Sequence, residues 1–89
     1  MMASNLLGAA PSEDLDSDEK VVLYCTRAMK SSYNGKSRRD YSGLTVDAWE
    51  AAKARLIGRG MLNKAGAITP AGRNAAADLK GYELGIRGY

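Results

Sequence analysis

Gly58-Arg59-Gly60-Met61-Leu62-Asn63-Lys64-Ala65-Gly66-Ala67-Ile68-Thr69-Pro70-Ala71-Gly72-Arg73 is the stretch on which the fold turns. Gly60 suits the left-handed residue that closes a helix. Met61–Lys64 and Ala67–Thr69 flank the small pair Ala65-Gly66, which fits a short hairpin over 61–69. A two-stranded ribbon is marginal alone, so this one needs helices to pack on. Thr69-Pro70 is a helix start, with threonine as cap and proline where a missing N–H costs nothing. The helix that follows is expected over 70–80, with Ala71, Ala75 and Leu79 on one side and Gly81 as its stop.

Upstream, Thr45 is a good N-cap with Leu44 before it and Asp47 in the first turn, which predicts a helix over 46–58. Trp49, Ala52, Leu56 and the stem of Lys53 share one face. Asp47, Ala51, Ala54 and Gly58 form the opposite one, with Glu50 and Arg55 on the flanks. A first helix is expected over 17–31. Asp16 and Glu19 form a capping box there, Leu15 is the staple, and Asp18 adds charge at the positive helix end. Val21, Val22, Cys25, Ala28 and Met29 make its buried stripe. Cys25 reads as a structural thiol rather than a reactive one.

Between these helices, SSYNGKSRRDYSG (31–43) breaks the pattern, with turn signals at Asn34-Gly35 and Ser42-Gly43. It is basic, through Lys36, Arg38 and Arg39. It is either a loop or a loop with one distorted helical turn near 38–41. Trp49, Leu56, Val22, Met29, Ile68 and Leu79 are expected to share one core. Residues 1–12 read as a disordered arm, 13–81 as the domain, and 82–89 as a Gly-spaced tail that is loose unless Tyr82, Leu84 and Ile86 dock.

Composition bounds this reading. Of 89 residues, 14 are alanine, and Ile, Leu, Val and Phe together number 15. The core is therefore thin and packed on small side chains. Alanine favours helix, and three Val and three Ile leave little for strands. Residues 1–19 carry five acids and no Lys or Arg, while the rest holds all 13 Lys and Arg against five acids. A basic body of this kind can bind a polyanion, although many soluble domains are as basic by chance. No histidine and a single cysteine exclude a Cys–His metal set and any Ser-His-Asp or Cys-His nucleophile scheme. The glycines form no phosphate cradle, and the acids lack a calcium-loop spacing. No apolar run reaches the ~18–20 residues of a membrane span, and no secretory signal opens the chain. The expectation is a cytoplasmic protein that is not an enzyme and holds no cofactor or metal.

The run Leu44-Thr45, Ala48-Trp49, Leu56-Ile57, Gly60, Leu62-Asn63-Lys64, Gly66, Ile68-Thr69-Pro70 and Gly72-Arg73 resembles a winged helix-turn-helix domain over about residues 15–80. The similarity is to MarR-type regulators and to plasmid or phage initiators. The resemblance implies a mostly α domain of three helices with a short β-wing, and double-stranded DNA as ligand. It implies an accessory or regulatory protein, in transcription for instance, of a phage or mobile element. Thr45–Gly58 would be the recognition helix and Asn63–Ile68 the wing. Lys36, Arg38 and Arg39 would clamp phosphates. Thr45, Asp47, Glu50, Ala51 and Arg55 would supply base-edge contacts, and Lys64 would meet the backbone from the wing. The slot for the second helix has only Tyr41 as an apolar anchor. The small, slightly acidic face of Ala51 and Ala54 also suits docking of another protein, such as a member of a replication or host complex, without DNA binding. A homodimer stays open.

Overall fold

The computed structural model describes residues 14–28, 32–33 and 36–86, with the backbone alone at 32, 33 and 36. The expected arm at 1–12 lies outside the described residues. What is described is a mostly helical domain.

Helix α1 (Ser17–Ala28) starts on a capping box. The Glu19 N–H donates to Asp16 Oδ1 at 2.8 Å, and the Asp16 N–H donates to Glu19 Oε1 at 2.9 Å. Each carboxylate thereby satisfies a backbone donor that the helix start leaves open. Leu15, ahead of the cap, is buried as a staple should be. Val21, Val22, Leu23 and Cys25 are all buried, a broader stripe than the expected one because Leu23 also finds core. Met29 and the expected end of this helix at 31 lie outside the described residues.

Strands β1 (Ser32–Tyr33) and β2 (Lys36–Ser37) pair antiparallel, Ser32 opposite Ser37 and Tyr33 opposite Lys36. Asn34-Gly35, between them, lies outside the described residues. Ser37 then caps α2 (Arg38–Ser42). Its hydroxyl accepts from the Asp40 N–H at 3.2 Å, and Asp40 Oδ2 accepts from the Ser37 N–H at 2.9 Å. This second capping box gives a five-residue helix where the sequence allows either a loop or one distorted turn.

Helix α3 (Val46–Gly58) has Thr45 as its cap, the hydroxyl accepting from the Ala48 N–H at 3.1 Å. Trp49, Ala52 and Leu56 are its buried face. Gly60 adopts φ 78°, and the N–H groups of Gly60 and Met61 donate to Ile57 and Leu56 carbonyls, both at 3.0 Å. That pattern closes the helix and aims the chain back along it.

The hairpin expected over 61–69 reduces to one antiparallel bridge, Leu62 opposite Ile68. Asn63 is the reason. Its Oδ1 accepts from the Ala65 and Ala67 N–H groups at 2.9 and 3.0 Å, so the chain curls around the side chain instead of extending a ladder. Ile68, expected in the core, is half-buried beside it.

Thr69 ties this turn to α4 (Pro70–Ala76). Its hydroxyl accepts from the Gly72 N–H at 3.0 Å and donates to the Gly60 carbonyl at 2.7 Å. Gly72 is buried where a β-carbon would collide with the Met61 carbonyl oxygen, so no larger residue fits. Helix α4 ends four residues before the expected 80. The Leu79 N–H turns back to the Ala76 carbonyl at 3.0 Å, which swings Leu79 into the core. A 3₁₀ turn (Gly81–Leu84) follows, packed against α1 with Gly81 under the Tyr24 hydroxyl. Ile86 is buried and Leu84 half-buried, so the packed domain runs through Ile86, past the expected boundary at 81. Tyr82 points out, 77% exposed.

Candidate nucleic-acid interface

Helix α3 sorts its side chains into four directions. The inward one is Trp49, Ala52 and Leu56. Two residues apart on a helix are about 200° apart, so Lys53 and Arg55 fall on opposite flanks.

The Arg55 flank meets the start of α1. Arg55 Nη2 lies 3.0 Å from Asp16 Oδ2, and its Nε lies 3.3 Å from Glu19 Oε2. Arg59 Nε reaches the same Glu19 oxygen at 3.3 Å, and its Nη2 donates to the Asp14 carbonyl at 3.4 Å. Glu19 is only 2% exposed. A buried carboxylate needs partners of opposite charge, and here it takes two arginines and a backbone N–H. The sequence places Arg55 among the base-edge readers. In the structure the acids that cap α1 hold its guanidinium against the body of the domain.

The other flank opens on a cleft. Its first lobe, about 220 Å³, lies between Thr26 of α1, Arg38 and Arg39 of α2, Lys53 of α3, and the turn at Ala65-Gly66. A second lobe of about 360 Å³ shares Thr26, Arg38, Ala65 and Gly66, and adds Arg73 of α4 on its far side. Four cationic side chains thus border two adjoining lobes, and among the described residues no carboxylate lines either. Among the described residues, Arg39, Lys53 and Arg73 make no ion pair. Arg38 also lies close enough to Cys25 to act on its thiol. Burial pushes that thiol up from 9.0 to about 11, and the Arg38 charge partly opposes the shift.

The fourth direction is outward. Asp47, Glu50, Ala51, Ala54 and Gly58 are exposed there, as are Thr45 and, at the helix start, Val46. The Thr45 hydroxyl is occupied as an acceptor by its capping role. Lys64 stands exposed on the turn next to the cleft. The side chain of Lys36 lies outside the described residues. The expected set therefore divides. Arg38 and Arg39 share the cleft, Lys64 adjoins it, Thr45, Glu50 and Ala51 stay on the exposed surface of α3, and Arg55 is diverted.

Lys53 and Arg73 are not among the cations that the sequence pattern marks for binding. Lys53 enters that pattern only through its stem on the apolar face. A lysine four residues after a core tryptophan carries its ammonium to the rim of whatever that stem covers, which is the signal that could have found it. Arg73 has no local signal, because only the folding of α4 against the turn brings it to the cleft. Comparison with protein-family models, curated proteins and solved structures finds no match. No helix among the described residues is long and apolar enough to cross a membrane.

Proposed function

We propose that this chain is a winged-helix-type domain that binds double-stranded DNA, principally through its phosphate backbone. The observation that carries the reading is the convergence of Arg38, Arg39, Lys53 and Arg73 on two adjoining lobes with no carboxylate among their described lining residues, and with Lys64 on the adjoining turn. Cations gathered on one side raise the local potential and release counterions when they meet phosphates. In this reading the turn at 63–67 serves as a reduced wing, and α3 lies beside the duplex. Its outward face offers Thr45, Glu50 and Ala51 but no Arg, Lys, Asn or Gln, the side chains that make bidentate base contacts. Backbone contacts then dominate affinity, and sequence discrimination is small. The test is a gel shift with unrelated duplexes over a salt series. A linear fall of log affinity with log salt, at similar affinity for every sequence, supports the reading. Affinity that ignores salt sinks it.

A second reading is favoured by a different observation. Ala51, Ala54 and Gly58 expose a small face beside Asp47 and Glu50, where carboxylates repel phosphates. Such a face suits a protein partner. Ala51→Glu with Ala54→Glu separates the two readings. Loss of a protein partner with duplex binding intact assigns the face to docking.

A further inference from the structure

We infer that the two-lobed cleft seats two linked phosphates of a small organic diphosphate, one phosphate in each lobe. The inference rests on the reading of the cleft as a phosphate-binding surface and names a ligand that competes there with a duplex.

Position is the first reason. The lobes of about 220 and 360 Å³ share four lining residues, Thr26, Arg38, Ala65 and Gly66, so they lie side by side. Arg38 borders both lobes. Charge is the second. Arg39 and Lys53 belong to the first lobe and Arg73 to the second, and none of the three is neutralised by a described carboxylate. A single phosphate leaves one lobe's cations uncompensated, whereas a diphosphate places charge at both.

The floor and wall settle what part of the ligand is recognised. Val22, Trp49 and Leu62 underlie the first lobe, but each is at most 9% exposed, so they offer little apolar area to a ring or chain. The turn that forms the wall is held by Asn63, which occupies the Ala65 and Ala67 N–H groups, and the Gly66 N–H donates to the Asn63 carbonyl at 2.8 Å. Those amides are therefore committed within the turn, and the side-chain cations must hold the anion. A β-carbon on Gly66 would sit 3.0 Å from Lys53 Cε, so the turn and the lysine stem lie against each other. The ligand enters phosphates first, with the rest of the molecule toward solvent.

The experiment titrates the full chain with pyrophosphate and, separately, with orthophosphate at constant ionic strength. The emission of Trp49, the sole tryptophan, follows occupancy, and anisotropy of a labelled duplex follows DNA. The expected result is saturable pyrophosphate binding at least roughly tenfold tighter than orthophosphate, with displacement of the duplex. Lys53→Gln with Arg73→Gln should weaken pyrophosphate roughly tenfold or more and erase its preference, whereas Lys20→Gln with Lys80→Gln, which removes equal charge elsewhere, should not. Pyrophosphate binding no tighter than orthophosphate overturns the proposal, and that measurement needs no variant. Equal losses in both double variants overturn it too. A duplex that binds while pyrophosphate does not defeats the diphosphate seat and leaves DNA binding standing. Pyrophosphate that binds to a protein that retains no duplex supports the seat and defeats DNA binding.

Discussion

The two flanks of α3 carry the same kind of residue in opposite condition. On one flank Arg55 and Arg59 close on Asp16 and the buried Glu19. On the other, Lys53 shares one lobe with Arg38 and Arg39, Arg73 borders the next, and no acid is among the described lining residues. A count of basic residues treats these flanks as equal. Pairing separates them. The first set is committed to holding α3 on α1. In the second, Arg39, Lys53 and Arg73 have no carboxylate partner among the described residues.

The largest effect should come from Glu19→Ala. It leaves two arginines without their shared partner and removes half of the α1 capping box, which together should cost about 3 kcal/mol in urea unfolding. The half-exposed arginines keep the figure at the low end of the range for buried pairs. Unchanged stability would mean that the paired flank holds nothing. In the DNA reading, the freed arginines should also steepen the salt dependence of duplex binding.

Arg55→Ala should be milder, about 1 kcal/mol, because Arg59 remains on Glu19 and the Arg55 side chain is 45% exposed. Its salt slope for duplex binding should match that of the wild type. A shallower slope would return Arg55 to the DNA surface and break the contrast.

Arg39→Ala with Arg73→Ala should reverse the pattern. Stability should move by less than about 0.5 kcal/mol, since unpaired surface charge contributes little. The salt slope for duplex binding should fall by roughly two units, about 0.9 for each phosphate no longer neutralised. A stability loss as large as that of Glu19→Ala would show these cations to be structural as well.

The smallest effect concerns Cys25 beneath the cleft. Its folded pKa of about 11 lies above the ordinary 9.0, so the thiol binds its proton more tightly in the native state. The resulting stability is fully present below pH 9 and is lost as pH rises through about 11. Arg38→Gln removes the charge that favours thiolate and should raise the thiol pKa further, read by thiolate absorbance in a pH titration. An unchanged pKa would place Arg38 too far from the thiol to act on it.

What the sequence determined by itself is the set of local chain-ends and turns. Asp16 with Glu19, Thr45, Gly60 and Thr69-Pro70 each act within a few residues, through one side-chain oxygen on a nearby N–H or through one left-handed φ. Such signals need no tertiary partner, and so they were legible. Arg38 and Arg39 were legible as cations, though not what they face. Three things were decided only in the folded chain. The extent of the turn at 61–69 depended on which N–H groups the Asn63 side chain took. The burial of Ile86 depended on α4 stopping early and turning the chain back over α1. The state of each cation depended on residues far away in sequence. Arg55 meets carboxylates 39 and 36 positions upstream, and Arg73 shares a cleft with Arg38 of α2. Ion pairing is a matter of a few ångströms in space, and no local pattern records which charges the fold will bring that close.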